Sequence, residues 1–171
     1  VEETSTPPAT TSVTKSPTIP TTRHRKGSIT VILTQYKRNT TEAQLQALAS
    51  QTISHLIDTI IIYQEKTYIN LDFISNITFK SNYHPPIKLI QSFTRNFKYH
   101  GRFALALLVQ SDYTIIFDDD TIPQSGWLAL AMSSSQLHNA IVGPTGMILA
   151  RHQQYIIAPP TDYTMEVSTI L

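Results

Sequence analysis

The most informative absence in this 171-residue sequence is cysteine, which does not occur at all. Without a thiol, disulfide bonds, thiolate catalysis and Cys-ligated zinc are excluded within this stretch. Histidine offers no replacement, because His55, His84, His100, His138 and His152 lack the spacing of metal ligands. We interpret these histidines as surface or hydrogen-bonded residues, and the redox compartment stays undetermined.

Long apolar runs and strong net charge are also missing. The longest unbroken apolar run extends from Phe103 to Val109, far short of the roughly 20 residues that cross a bilayer. No signal peptide is visible, so we expect no membrane segment in this chain, and any anchor would precede Val1. The formal net charge of +1 gives no field that favours nucleic acid, and we expect no nucleic-acid partner.

The amino-terminal segment, residues 1–28, is rich in Thr, Ser and Pro and has almost no bulky apolar side chains. Such a segment cannot bury enough surface to offset its ordering entropy, which predicts a disordered linker. The basic run Arg23–Lys26 closes it, either as a solvated tail or as a phosphate or membrane contact. Residues 29–171 are expected to form one domain, incomplete at its carboxyl end.

Apolar strands alternate with helical patterns along residues 29–171. Continuous apolar runs at Ile29–Leu33 and Ile57–Tyr63 predict buried strands, and Thr41–Gln44 matches a capping box that begins a helix. Further strands are predicted at Ile77–Phe79 and Ala140–Val142. This order indicates an α/β fold with a mostly parallel, Rossmann-like sheet and helices on both faces.

Three consecutive carboxylates follow the apolar strand Ile115–Phe117. Alternation along an extended chain places Asp118 and Asp120 on one face and Asp119 on the other. Adjacent anions repel one another, and Mg²⁺ or Mn²⁺ bound by one or two carboxylates and by phosphate oxygens relieves that repulsion. The alternative interpretation is a solvated acidic turn.

Polar groups follow three of the predicted strands at their carboxyl ends, the edge at which parallel sheets bind ligands. They are Thr34–Arg38, Gln64–Glu65 and Asp118–Asp120. Arg102 begins an apolar helix predicted over residues 102–110, and a guanidinium there requires an anionic partner, either an aspartate or a bound phosphate. These groups together predict a nucleotide-diphosphate site.

Three segments give the chain a resemblance to a known family. They are Ile32–Arg38, Asn96–Phe103 and Phe117–Thr121, the last followed by a helix led by Trp127. In this order and spacing, roughly Ile29 to Gly143 resembles the donor-binding half of a GT-A glycosyltransferase of the exostosin-like or family-two type.

The resemblance implies a nucleotide-sugar donor, most often a UDP-sugar, bound with Mn²⁺ or Mg²⁺, and a glycan or protein acceptor. It implies that Asp120 ligates the metal with help from Asp118. Tyr36 and Arg38 would lie near the base, and Asn96 and Arg102 would hold base and phosphate. Donor contacts are expected from the following residues: Thr34, Tyr36, Arg38, Glu65, Asn96, Arg102, Asp118 and Asp119. The family's acceptor half follows this region, so no catalytic base is assigned.

Two other functions stay open. A haloacid-dehalogenase-like phosphatase also uses an apolar strand followed by Asp-x-Asp, here Asp118 and Asp120, although its motif normally lies on the first strand. A donor-binding remnant without catalysis is the third possibility. The sequons at Asn39 and Asn76, with the Thr/Pro-rich segment, favour a lumenal location, but a glycan on Asn39 would obstruct the donor loop.

Overall fold

The computed structural model describes residues 25–91 and 97–144, together with the backbone of three short strands further on. The predicted linker therefore lies almost entirely outside the described residues. The principal elements, in chain order, are β1 (Ile29–Gln35), α1 (Thr41–Ala49), β2 (Ile57–Gln64), β3 (Ile87–Gln91), α2 (Gly101–Ala106), β4 (Tyr113–Phe117), β5 (Thr121–Pro123), α3 (Trp127–His138), β6 (Met147–Leu149), β7 (Tyr155–Ile157) and β8 (Val167–Thr169).

Four parallel strands form the central sheet in the order β3-β2-β1-β4. β1 occupies an inner position, and its residues from Ile29 to Leu33 are all nearly inaccessible to solvent. A strand buried on both faces reads as a continuous apolar run, which is why β1 and β2 could be recognised from the sequence. Two antiparallel pairs, β5 with β8 and β6 with β7, complete the described strands.

Helices cover both faces of this sheet. Val31 and Leu33 of β1 pack with Leu45 and Leu48 of α1 and Leu128 of α3 in the hydrophobic core. The alternate β1 residues point to the other face, where α2 contacts β1. The predicted α/β class with a mostly parallel, doubly covered sheet is therefore confirmed. Within the described part of the chain, no helix is long and apolar enough to span a bilayer.

A row of glutamine side chains closes the carboxyl ends of the first three strands. Gln35, Gln64 and Gln91 are aligned in register on β1, β2 and β3. The Gln91 amide donates to Gln64 at 2.7 Å, and the Gln64 amide donates to Gln35 at 2.8 Å. Gln35 in turn donates to the carbonyl of Arg38 at 3.0 Å. The row, termed the glutamine ladder below, ties the strand ends to the loop after β1.

Two predicted strands are wrong. Residues 77–79 follow a short 3₁₀ helix and form no strand; Phe79 instead packs into the hydrophobic core, with its ring also against His84. The third strand is Ile87–Gln91, which begins directly after Pro85-Pro86. Residues 140–142 also form no strand, and Ile141 is fully exposed.

The predicted helix over residues 102–110 is shorter and less buried than expected. It covers Gly101–Ala106, and Phe103, Leu107 and Leu108 are exposed by 55%, 86% and 77%. An apolar composition does not bury a helix unless all of its sides have neighbours; within the described residues α2 packs against β1 and against Tyr63 of β2, and its opposite side is exposed.

Candidate functional site

A cleft of about 530 Å³ opens at the carboxyl ends of β1, β2 and β4. It brings together most of the predicted donor contacts and both predicted metal ligands. Its lining comprises Thr34, Gln35, Tyr36, Arg38, Tyr63, Glu65, Lys66, Lys98, Asp118, Asp119 and Asp120. Arg102 reaches this group through its ion pair with Asp118. Asn96 lies outside the described residues.

The three carboxylates of the triplet have three different sets of partners. Asp118 pairs with Arg102, and Asp120 pairs with Arg38 at 2.9 Å between Oδ2 and Nη1. Asp119 turns instead toward the loop after β1 and is 8% exposed. Asp119 is separated from its two neighbours as expected, but the cause is a turn and not strand alternation, because the chain turns at Asp119-Asp120 and the N–H of Thr121 donates to the carbonyl of Asp118 at 3.2 Å.

The Asp119 side chain binds the backbone of the loop that follows β1. Its Oδ2 accepts hydrogen bonds from the N–H groups of Tyr36, Lys37 and Arg38 at 3.3, 2.9 and 3.0 Å. A carboxylate that accepts several N–H bonds is strongly fixed, because each bond is charge-assisted. The prediction that Asp119 contacts a donor stays a prediction, and its observed contacts position the loop that carries Tyr36 and Arg38.

The beginning of α1 bonds the other side of the turn formed by Asp118–Thr121, termed the aspartate turn below. Thr40 Oγ1 donates to the carbonyl of Asp119 at 2.5 Å, and Gln44 Nε2 donates to the carbonyls of Asp118 and Thr121, each at 2.8 Å. The capping-box prediction was therefore wrong. Thr40, not Thr41, is the N-cap, and no side chain caps the helix, because the polar side chains of its first turn bond the neighbouring loop.

The two arginines differ in their exposure. The Arg38 side chain is 46% exposed, whereas the Arg102 side chain is 15% exposed and also lies over the Phe103 ring at 5.1 Å. The expected anionic partner of Arg102 is thus an aspartate of the triplet, Asp118. The Asp118 side chain is itself 51% exposed, so Arg102 is held by the burial of its own side chain more than by the strength of the ion pair.

An aromatic pair with two lysines flanks the β1 side of the cleft. The rings of Tyr36 and Tyr68 meet edge to face at 4.9 Å, and Lys37 Nζ lies 5.1 Å from the Tyr36 ring. Lys66 Nζ lies 5.0 Å from the Tyr68 ring. A hydrogen bond from Tyr36 and the nearby lysine charges lower the pKa of Tyr68. The half-exposed Tyr36 ring is available for stacking on a planar ligand.

Tyr63 and Glu65 occupy the β2 side of the cleft. The Tyr63 hydroxyl donates to Glu65 Oε1 at 2.6 Å, and burial together with this bond raises the pKa of Tyr63 above its usual value. Gly101, the first residue of α2, lies directly against the Tyr63 ring, and a Cβ there would overlap the hydroxyl. Glycine is therefore required for α2 to approach β2 this closely.

Thr34 supplies a polar group that the protein itself does not satisfy. Its hydroxyl is buried and has no hydrogen-bond partner within the residues that the structure describes. Because a buried hydroxyl normally finds a partner, the unpaired Thr34 hydroxyl is a candidate contact for a ligand of the cleft that Thr34 lines.

Three lining residues, Tyr63, Lys66 and Lys98, were not predicted as site residues, and Gln35 was predicted only as part of the polar segment Thr34–Arg38. Tyr63 and Lys66 flank predicted residues at the end of β2, so extending each predicted strand end by one or two residues would have found them. Lys98 gives no such signal, because its position depends on the path of the chain between β3 and α2.

A second cavity, also of about 530 Å³, runs along β4 on the side away from β1. Its walls are mostly apolar and include Phe103, Ile115, Trp127 and Met132. It shares Asp118 with the cleft. The aspartate turn thus borders both a polar and an apolar space.

The donor set of the cleft suits a divalent cation only in company with phosphate. Among the residues that the structure describes, no group of three or more His, Asp or Glu side chains converges on a metal position. Mg²⁺ typically takes one or two carboxylates and completes its shell with water and substrate phosphates. Asp118 and Asp120 therefore fit a cation shared with a diphosphate and do not form a cation cage of their own.

The fold and the cleft define an α/β protein with a parallel sheet and a polar, mixed-charge site at the carboxyl ends of its strands. No protein-family model matches the chain, and no curated protein matches it. Among solved structures, it is similar to 4-diphosphocytidyl-2C-methyl-D-erythritol synthase from Anaerococcus prevotii DSM 20548. That similarity has 19% identity, covers 84% of this chain and 70% of the other, and has a TM-score of 0.41.

Proposed function

We propose that the protein is a metal-dependent glycosyltransferase that binds a nucleotide-diphosphate sugar, in particular a UDP-sugar, and transfers the sugar to a glycan or protein acceptor. One observation carries the proposal. The polar ends of β1, β2 and β4 meet in one cleft that holds carboxylates, a guanidinium, an exposed aromatic ring and an unsatisfied buried hydroxyl. This combination matches the chemistry of a nucleotide diphosphate better than that of a purely anionic or purely apolar ligand.

Each part of the donor has a complementary group in the cleft. The Tyr36 ring offers a stacking surface for the base, and the Thr34 hydroxyl and Glu65 carboxylate offer hydrogen bonds to base or ribose. Arg38 offers a planar, permanently charged fork that suits phosphate oxygens. Asp118 and Asp120 would hold Mn²⁺ or Mg²⁺, which supplies charge neutralisation to the leaving diphosphate.

Calorimetric titration with UDP in the presence of Mn²⁺, and again with EDTA, tests the proposal. We expect binding that requires the metal. Asp120→Ala should lower metal-dependent UDP affinity by more than about 100-fold. Loss of an outer-shell group that only orients a metal ligand already lowers metal affinity about 10- to 100-fold, and loss of the ligand itself should cost more. UDP affinity that is unchanged by EDTA would refute the role of the metal.

The matched control is Asp72→Ala, which removes an exposed carboxylate that lies outside the cleft lining. It should leave UDP affinity unchanged. Both variants should retain the melting temperature of the parent protein, because the Arg38–Asp120 pair is largely exposed and contributes little stability. Once binding is established, hydrolysis or transfer of the UDP-sugar distinguishes an enzyme from a donor-binding protein without turnover.

A further inference from the structure

Both carboxylates that are proposed to hold the cation already have a cationic partner in the protein. Asp120 is paired with Arg38, and Asp118 is paired with Arg102. A divalent cation that approaches either carboxylate therefore competes with a guanidinium, and the two positive charges repel each other across a few ångströms. Cation binding to this cleft is consequently an exchange of partners.

We propose that Arg38 is an exchangeable counter-ion: it neutralises Asp120 in the empty cleft and transfers to the donor diphosphate when the cation takes Asp120. This inference rests on the proposed function and concerns the order and coupling of binding at that site. The cation and the diphosphate therefore favour each other's binding. The cation releases Arg38 from Asp120, and the diphosphate gives the released guanidinium a new anionic partner.

The geometry around Arg38 permits this exchange. Its backbone N–H is fixed by Asp119, while its side chain is 46% exposed and can change rotamer without unfolding its surroundings. In this position Arg38 Nη1 also lies 3.7 Å from Asp119 Oδ1, so the guanidinium is shared between two carboxylates and is not committed to Asp120 alone. An exposed ion pair such as Arg38–Asp120 contributes only about 1 kcal/mol or less, so separating it requires little free energy.

Arg102 provides the contrast. Its own side chain is 15% exposed and lies over the Phe103 ring, whereas its partner Asp118 is 51% exposed; moving Arg102 would therefore break the ring contact and leave the space of a mostly buried guanidinium unfilled. We therefore assign Arg102 as the fixed cation of the cleft and Arg38 as the exchanging one. If the cation binds before the diphosphate, Asp120 is still paired with Arg38. The affinity of the protein for the cation is therefore lower than it is when the diphosphate is bound.

The coupling is measured by titrating Mn²⁺, followed by electron paramagnetic resonance, into the protein with and without saturating UDP. In the parent protein, we expect UDP to tighten Mn²⁺ binding, and by linkage Mn²⁺ must tighten UDP binding by the same factor. In Arg38→Gln, Mn²⁺ without UDP should bind about fivefold more tightly, because the competing guanidinium is gone. The tightening by UDP should shrink, because the released guanidinium no longer meets the phosphate.

Lys66→Gln is the matched control, since Lys66 lines the same cleft and carries the same charge but forms its described contact with the Tyr68 ring. It should raise the Mn²⁺ affinity less than Arg38→Gln does and should retain the tightening by UDP. Arg38→Lys keeps the charge and loses the planar fork, and it should fall between the parent and Arg38→Gln.

The outcomes separate the two proposals. If the parent protein binds no UDP with Mn²⁺, the proposed function fails and this inference fails with it. If the parent binds both ligands, but Arg38→Gln shows the Mn²⁺ affinity and the UDP tightening of the parent or of Lys66→Gln, the exchange is overturned while the proposed function stands. A stronger Mn²⁺ site with a smaller UDP effect, in Arg38→Gln alone, supports the exchange.

Discussion

Asp119 should contribute more to stability than any other carboxylate of the triplet. Its Oδ2 accepts three backbone hydrogen bonds from consecutive residues of the β1 loop, and the side chain is nearly buried. Asp119→Ala removes all three acceptor contacts at once. Hydrogen bonds to a charged group contribute about 1.5–3 kcal/mol each, but those of one carboxylate are not additive.

We expect Asp119→Ala to lower the free energy of unfolding by about 3 kcal/mol, less than the sum of three charge-assisted bonds. Water reduces the loss, because Tyr36 and its neighbours are exposed and the freed N–H groups can be hydrated. Asp119→Asn keeps one acceptor oxygen but loses the charge and brings an amide toward Arg38, so it should cost about half as much.

Urea denaturation provides the measurement, with the fluorescence of Trp127 as the probe. Trp127 is the single tryptophan of the chain, is 8% exposed and packs against Phe117 at 4.9 Å, so its emission should change when the core opens. Asp72→Ala, at an exposed position, is the control and should change stability by less than about 0.5 kcal/mol. If Asp119→Ala cost no more than this control, the backbone contacts would not hold the loop.

Two further predictions concern Tyr63. Gly101→Ala should destabilise the protein by about 1–3 kcal/mol, because the new Cβ overlaps the hydroxyl and two ring carbons of Tyr63; it should cost less in a Tyr63→Ala background, which lacks all three atoms, and simple additivity in this double-mutant cycle would contradict the overlap. Because the pKa of Tyr63 is raised by burial, its neutral form stabilises the fold fully below pH 10, and this contribution is lost as the pH rises above that value. The unfolding free energy should therefore fall by up to about 1.4 kcal/mol per pH unit more steeply in the parent than in Tyr63→Phe, and equal slopes would count against it.

The parts of the fold that the sequence predicts are those encoded by local pattern. β1, β2 and β4 are apolar runs with polar residues directly after them, and the rule that ligands bind at the carboxyl ends of parallel strands places those residues together. This is why the strand sequences alone were enough to group Thr34, Tyr36, Arg38 and Glu65 with the aspartates.

The parts that could not be predicted depend on contacts between distant segments. Thr41–Gln44 matches a capping pattern, but Thr40 and Gln44 bond the carbonyls of the aspartate turn, 79 and 74 residues away, and local spacing cannot distinguish the two uses. β3 has an ordinary composition and half-exposed residues, so its periodicity is weak. The end of α2 at Ala106 could not be predicted, because the sequence does not distinguish exposed leucines such as Leu107 and Leu108 from buried ones.

The glutamine ladder also limits how the sheet can assemble. β1 and β2 consist mostly of β-branched and aliphatic residues, so a slip of two residues would keep every side chain on its own face and match apolar residues nearly as well. In such a slipped pairing the Gln64 amide would face an aliphatic neighbour, and each stranded amide would cost about 1–3 kcal/mol. The three glutamine amides at the strand ends therefore favour one register among several that the apolar residues alone would allow. This register also fixes the position of the residues that follow the strands, including Arg38.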